Sequence, residues 1–112
     1  MLEDYSEIVA AHDVFVLTLE NKIIGTLLLI NRRPIFLLDN VAVHPDYQGR
    51  GFGRMLITFA ETQAKNAGFD FITLYTNEQM TENLQLYKKL GFVETERRTE
   101  QGYRRVYMQK IL

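Results

Sequence analysis

Apolar residues in the first half of the chain fall into short stretches that polar turns separate. Residues 14–20 alternate and then run apolar, and residues 23–30 form a long aliphatic run that is typical of a strand covered on both faces. A third stretch, residues 35–43, follows the turn-forming Asn31-Arg32-Arg33-Pro34. The pattern predicts an antiparallel meander of three strands. Ahead of it, residues 2–11 are predicted to form a short helix.

The second half of the chain changes to a helical period. Residues 53–67 carry apolar side chains three or four positions apart, and Gly68 has the place of a glycine that ends a helix. Residues 69–75 then read as a strand parallel to residues 35–43, because a helix connects the two. The predicted buried stripe of the helix consists of Leu56, Phe59, Ala60, Ala64 and Ala67.

A second helix is predicted over residues 79–90, ending at Gly91. Residues 92–98 and 103–111, with a turn near Gln101-Gly102, complete the sheet as a hairpin. The chain of 112 residues shows no linker or internal repeat, so residues 1–112 are predicted to form a single domain. The predicted fold class is α/β with a mixed sheet.

Residues 41–53, VAVHPDYQGRGFG, join the third strand to the first helix. The strand breaks at Pro45, and glycines follow at three alternate positions, 49, 51 and 53, just where the helix starts. Such a connection presents backbone N–H groups at the positive end of a helix dipole. Glycines also let a ligand approach the backbone closely, because no Cβ stands in the way. The segment therefore predicts an anion cradle suited to phosphates.

Two motifs identify a family. The glycine spacing fits neither the dinucleotide fingerprint nor a Walker loop. Gln48-Gly49-Arg50-Gly51-Phe52-Gly53 instead resembles motif A of the GCN5-related N-acetyltransferases, Gln/Arg-x-x-Gly-x-Gly/Ala. Residues 83–92, NLQLYKKLGF, resemble that family's Asn-x-x-x-x-Tyr-x-Lys-x-Gly-Phe. The resemblance extends from about residue 15 to the C-terminus and implies the GNAT acyl-CoA N-acyltransferase fold with acetyl-CoA as cofactor.

The resemblance also implies site residues. Tyr87 corresponds to the general acid that protonates the leaving thiolate. Asp39 stands nearest to the glutamate that many members use as general base, but it is one methylene shorter. Contacts with the cofactor are implied for Val41, Ala42, Val43, Gln48, Gly49, Arg50, Gly51, Phe52, Gly53, Arg54 and Asn83.

Structural roles are open for the same residues. Tyr87 could pack its ring in the core, Asn83 could face solvent or cap its helix, and residues 41–43 could be simply a buried strand. His44 could titrate near neutral pH, but a histidine is common before this proline in the family without a catalytic role. For Asp39, too, a structural role is the first interpretation.

The N-terminus departs from the family pattern. Members usually begin with a strand and two helices before the first hairpin of the meander, whereas only 13 residues precede Val14. We expect the first strand and at least one helix to be missing. Either the acceptor site is then open, or another subunit completes it, or this chain is shortened, and an unpaired sheet edge favours a homodimer.

Composition excludes several classes of function. Without cysteine the chain has no disulfide, thiolate metal site or cysteine nucleophile, and His12 and His44 lack the spacing of metal ligands. A net charge of −1 gives no reason to expect nucleic-acid binding. The arginines of the last hairpin are interpreted as a solvated edge, or else as a cation patch for phosphate or an acidic acceptor. No signal peptide or membrane span is evident, so we expect a cytoplasmic protein without a membrane partner.

The leading hypothesis is an acetyl-CoA-dependent N-acetyltransferase that transfers the acetyl group directly to a primary amine. A non-catalytic acyl-CoA-binding or regulatory module is a second hypothesis, and a subunit that needs a partner to complete the acceptor site is a third. The acceptor, a small molecule or a peptide amine, is not specified by the sequence.

Overall fold

A computed structural model describes residues 6–11 and 14–112. In this part of the chain a seven-stranded sheet, in the order β1-β2-β3-β4-β5-β7-β6, carries two α-helices. Only β4 and β5 are parallel neighbours. None of the helices described here is long and apolar enough to cross a membrane. In chain order the elements are β1 Ser6–Ala11, β2 Val14–Leu19, β3 Lys22–Arg32, β4 Ile35–Val43, a 3-10 helix Pro45–Tyr47, α1 Phe52–Asn66, β5 Phe71–Asn77, α2 Thr81–Lys89, β6 Val93–Glu100 and β7 Tyr103–Ile111.

The helix predicted for residues 2–11 is wrong where the structure describes it. Residues 6–11 form strand β1, antiparallel to β2, while residues 2–5 of that prediction lie outside the described residues. Ile8 lies opposite the fully buried Leu17 and packs against the core. A six-residue segment gains little from helix formation alone, whereas pairing with β2 supplies both backbone hydrogen bonds and a hydrophobic contact.

The expectation that the family's first strand is missing is therefore also wrong. Strand β1 precedes the meander and pairs with its first strand. Only residues 12 and 13 separate β1 from β2, which leaves no room for a helix between them. The chain thus has a strand in the expected place and a two-residue connection where relatives of the resembled family carry helices.

The remaining elements are confirmed, with boundaries that shift by a few residues. Strands β2, β3 and β4 form the predicted antiparallel meander, β5 is parallel to β4, and β6 and β7 form the final hairpin. In the predicted stripe of α1, Leu56, Ala60 and Ala64 are fully buried, whereas Phe59 and Ala67 are partly buried.

Helix packing is confined to one face of the sheet. Ile72 and Leu74 of β5 and Val106 and Met108 of β7 belong to the same buried cluster as the inner residues of α1 and α2. The alternate residues face the other way and line an open groove to which no residue of a described helix contributes. We call this second surface the helix-free face; it includes Leu37, Phe71, Thr73, Tyr75, Tyr107 and Gln109.

Gly25 of β3 lies in close contact with α1. A Cβ at this position would lie 3.1 Å from the backbone oxygen of Ala42 and 3.2 Å from Cδ1 of Leu56. We predict that Gly25→Val lowers the free energy of unfolding by roughly 1–3 kcal/mol, because added methyl groups must displace backbone or core side chains. Thr26→Val, at the next and exposed position, is the control and should change it by less than about 0.5 kcal/mol. Equal stability of the two variants in urea denaturation would contradict this packing.

Candidate functional site

Strands β4 and β5 are paired over a very short length. Residues 37–38 of β4 lie opposite residues 73–74 of β5. Beyond these two pairs, β4 continues to Val43 and β5 to Asn77 without pairing to each other. The two strands therefore diverge toward their carboxyl ends. We call the opening between residues 39–43 and residues 75–77 the fork.

A bulge in β4 marks the point where the fork begins. Leu28 of β3 lies opposite Asn40, but the next residue, Leu29, lies opposite Leu38. Asp39 is thus an extra residue on β4 with no counterpart on β3. A bulge bends its strand and increases the local twist, which accounts for the loss of pairing to β5 immediately after Leu38.

The chain leaves the fork through a tightly bonded loop. The Gln48 side-chain amide donates to the carbonyl oxygen of Val43 at 3.0 Å. The backbone N–H of Asp46 donates to Nδ1 of His44 at 3.1 Å, so the ring acts as the acceptor of this bond. His44 therefore caps the 3-10 helix, which supports its structural interpretation.

The glycine loop then carries the chain into α1. Gly49 and Gly51 have positive φ angles of 78° and 89°, a region that favours glycine. Nothing lies within 4 Å of the position that a Cβ of Gly49 would occupy, so the loop is open on this side. The backbone N–H of Met55 donates to the carbonyl of Gly51. The N–H groups of residues 52–54 precede that bond and have no partner within the helix.

Positive charge is available around this helix start. Arg50 and Arg54 are exposed and have no ion-pair partner among residues 6–11 and 14–112. The Arg50 guanidinium lies 5.2 Å from the ring centre of Tyr47, and the first turn of α1 has no acidic residue. Free N–H groups, an open glycine and two uncompensated cations together fit a diphosphate.

Helix α2 contributes the second motif. The Tyr87 ring is buried and meets Phe92 edge-on, with 6.0 Å between ring centres. Its hydroxyl has no hydrogen-bond partner in the part of the chain that the structure describes, and it is not a buried unsatisfied atom. Burial raises the pKa of Tyr87 above 10.0, so the phenol keeps its proton at neutral pH. A buried ring and an available proton are compatible, so core packing does not rule out the role of general acid.

Asn83 lies one helical turn before Tyr87 on the same side of α2. Its side chain is half-buried and makes no hydrogen bond to the other described residues. Helix α2 follows directly from β5, just as α1 follows from β4. Both helices thus begin at the carboxyl-end edge of the sheet, where the fork opens, which is the usual place for a ligand in α/β sheets.

Asp39 has a partner that sequence reasoning missed. The Tyr75 hydroxyl donates to Oδ1 of Asp39 at 3.2 Å, bridging β4 and β5 where the fork begins. Burial, followed by the negative charge of Asp39, raises the pKa of Tyr75. The Arg105 guanidinium lies over the Tyr75 ring, 4.6 Å from its centre. Asp39 itself has no cationic partner among the described residues.

The arginines of the final hairpin are all paired. Arg97 bonds Glu94 and Glu78, while Arg98 lies 2.8 Å from Glu96. Arg104 and Arg105 lie near Glu78 and Glu100, at 3.6 and 3.4 Å. These pairs support the interpretation as a charged, solvated edge rather than as a free cation patch. Within residues 6–11 and 14–112, no group of three or more histidine, aspartate or glutamate side chains could hold a metal ion.

Comparisons with known proteins agree on one family. The family model described as acetyltransferase (GNAT) domain matches residues 10–94. YvbK of Bacillus subtilis, an uncharacterized N-acetyltransferase, is 34% identical over 73 residues, covering 64% of this chain and 47% of YvbK. The L-amino acid N-acyltransferase MnaT of Escherichia coli is 35% identical over 63 residues, covering 56% of this chain and 37% of MnaT. In both, the match spans less than half of the relative's length.

Solved structures share the fold. A GNAT family acetyltransferase from Elizabethkingia anophelis, with acetyl-CoA bound, has a TM-score of 0.78 at 24% identity. The match covers 88% of this chain and 75% of that protein. A Bacillus anthracis protein described as a "putative streptothricin acetyltransferase", in complex with acetyl coenzyme A, has a TM-score of 0.80 at 24% identity, and the match covers 88% of this chain and 61% of that protein. With a family match over most of the length and this shared architecture, the chain belongs to the GNAT acetyltransferase family.

Proposed function

We propose that this chain is an acetyl-CoA-dependent N-acetyltransferase that transfers an acetyl group directly to a primary amine. The observation that carries the proposal is the fork, which opens beside the glycine loop at the start of α1. The fork leaves strand backbone available to an extended ligand, and the loop offers an anion site next to it. The two sites suit the chain-like and the phosphate parts of coenzyme A.

The residues that would hold acetyl-CoA follow from this arrangement. The N–H groups of residues 49–54 and the Arg50 side chain would hold the diphosphate, and the backbone of residues 41–43 in the fork would bond the pantetheine. Asn83, with its unpartnered amide, serves as a further polar contact. When bound, acetyl-CoA supplies the acetyl group as a thioester.

Two side chains manage the protons of the transfer. Asp39 would bind the ammonium form of the acceptor and take one of its protons, so that the nitrogen lone pair can attack the thioester carbonyl. The second proton, which the nitrogen loses after the N–C bond forms, would return to Tyr87 once Tyr87 has protonated the sulfur. Tyr87 gives its proton to the sulfur as the C–S bond breaks. Because burial raises the pKa of Tyr87, the phenol stays protonated at neutral pH and can donate to the leaving sulfur. The chain has no cysteine that could form a thioester acyl-enzyme, which favours direct transfer.

We predict that Gly51→Glu abolishes acetyl-CoA binding in calorimetric titration, because a carboxylate then stands in the anion cradle. Gly102→Glu is the matched control, since Gly102 also has a positive φ, 82°, but lies in the β6–β7 turn. At a hundred times Kd, the wild type and the control should gain about 2.7 kcal/mol of stability from the ligand. Absence of binding by the folded wild type would refute the proposed function. Equal binding by Gly51→Glu and Gly102→Glu would instead show that the anion site does not lie at the glycine loop.

We predict that Tyr87→Phe lowers kcat by about a hundredfold or more, because the leaving sulfur loses its proton donor. The Kd for acetyl-CoA should not change. In the wild type the protonated phenol is the active form, and its raised pKa moves loss of the proton to higher pH. Any tyrosine-linked fall in the wild-type kcat should therefore come at a higher pH than for an ordinary tyrosine, because burial raises the pKa of Tyr87. Tyr103→Phe, at a position that is 58% exposed in the final hairpin, is the control. An unchanged kcat in Tyr87→Phe would remove Tyr87 from the mechanism.

We also propose a homodimer that forms through the β1 edge of the sheet. The two outer strands differ in their protection, since β6 carries five charged residues whereas β1 carries only Glu7. Charged side chains protect an edge from pairing, so β1 is the edge open to a second copy. Sedimentation equilibrium at micromolar concentration should show a dimer, and a monomer alone would contradict it. A cytoplasmic location, and the absence of nucleic-acid and membrane partners, stay predictions from the sequence.

A further inference from the structure

The helix-free face carries a groove that ends at the fork. The groove has a volume of about 340 Å³, and Tyr75, the partner of Asp39, lies in its wall. Its apolar residues are Ile35 and Leu37 of β4 and Phe71 of β5. The other face of the sheet is filled by α1, α2 and the core. An acceptor that reaches Asp39 from the groove would thus rest its body on apolar side chains.

The negative and positive side chains around the groove differ in whether they have an ion-pair partner. Asp39 is a carboxylate without a cationic partner, whereas Arg98, the only cation in the groove wall, is already paired. Its guanidinium bonds Glu96 at 2.8 Å and lies 4.2 Å from the ring centre of Tyr107. The nearby Arg105 is likewise occupied, with Glu100 at 3.4 Å and the Tyr75 ring beneath it.

One further cation lies at the distant end. Arg32 is paired in register with Ile35, four residues before Asp39. At about 3.3 Å per residue, that end of the strand is some 13 Å from Asp39. An α-carboxylate lies only two bonds from its amine, so Arg32 could not neutralise it. An acceptor with a carboxylate beside its nitrogen would therefore bring a second negative charge to Asp39, and the described residues of the groove wall offer no unpaired cation to meet it.

We infer that the acceptor is a primary amine with an apolar body and without a carboxylate next to the nitrogen. An alkylamine or the N-terminus of a peptide with an apolar first residue meets this description, and a free amino acid does not. The inference rests on the proposed function and names the substrate class of the same site. The inference requires Asp39 to attract the ammonium and the groove to hold the apolar part. It also requires the negative charge of Asp39, which no neighbouring cation balances, to repel the carboxylate of a zwitterion.

Three acceptors of nearly one shape test the charge requirement on the wild-type protein. 3-Methylbutylamine, leucinamide and leucine share the isobutyl group and the primary amine, but only leucine has a carboxylate. The kcat/KM for the first two should exceed that for leucine by at least about tenfold, because like charges repel at short range. Leucine acetylated as efficiently as leucinamide would overturn the inference.

Substitutions at Leu37 test the groove. Leu37→Asp should lower kcat/KM for 3-methylbutylamine about tenfold, chiefly through KM, and Leu37→Ala should lower it less. The acetyl-CoA Kd, measured in parallel, shows that each variant is folded. Ile23→Asp is the control, since Ile23 is 62% exposed on β3 and lies outside the groove. Equal activity of Leu37→Asp and Ile23→Asp would place the acceptor elsewhere.

These experiments distinguish a failure of the proposed function from a failure of the proposed acceptor class. If acetyl-CoA binds but no amine of a broad panel is acetylated, the proposed transferase function fails, and the non-catalytic binding module takes its place. If other amines are acetylated while 3-methylbutylamine and leucinamide are not, the function stands and only the acceptor class is wrong.

Discussion

The extra residue at Asp39 is the constraint on which the site depends. Without it, β4 and β5 would remain parallel neighbours along their length, and their backbone groups would satisfy one another. The bulge instead ends the pairing after residues 37–38, so both strands run on with backbone that a ligand can bond. The same residue supplies the carboxylate at the opening. In the proposed function, this one local irregularity would provide both the place for the donor and the charge that meets the acceptor.

The two faces of the sheet carry different parts of the proposed site. Both helices pack on one side, where the glycine loop and Tyr87 lie with the buried core. The helix-free face carries the apolar groove and the Asp39–Tyr75 hydrogen bond. The proposed approach of the two reactants from opposite sides of the fork requires this second face, which no described helix covers.

Sequence patterns predicted most of the fold because periodicity and glycine placement act locally. The meander, α1 and its terminal Gly68, the parallel β5 and the final hairpin all follow from them. Strand β1 was missed because its residues form a strand by pairing with β2, and the local sequence pattern does not reveal that partner. The Asp39–Tyr75 bond was missed for the same reason, since residues 36 positions apart meet only through the β4–β5 register. The bulge has no signature of its own in the sequence, and its position follows from pairing with β3.

Hydrogen–deuterium exchange with and without acetyl-CoA tests the central claim, that the fork and the glycine loop together form the donor site. The account predicts slower exchange on addition of acetyl-CoA in residues 39–43 and in residues 49–54. Residues 71–73, before the fork, and the β6–β7 turn should exchange at unchanged rates. Protection confined to the final hairpin or the helix-free groove, or no protection at saturating acetyl-CoA, would contradict the account.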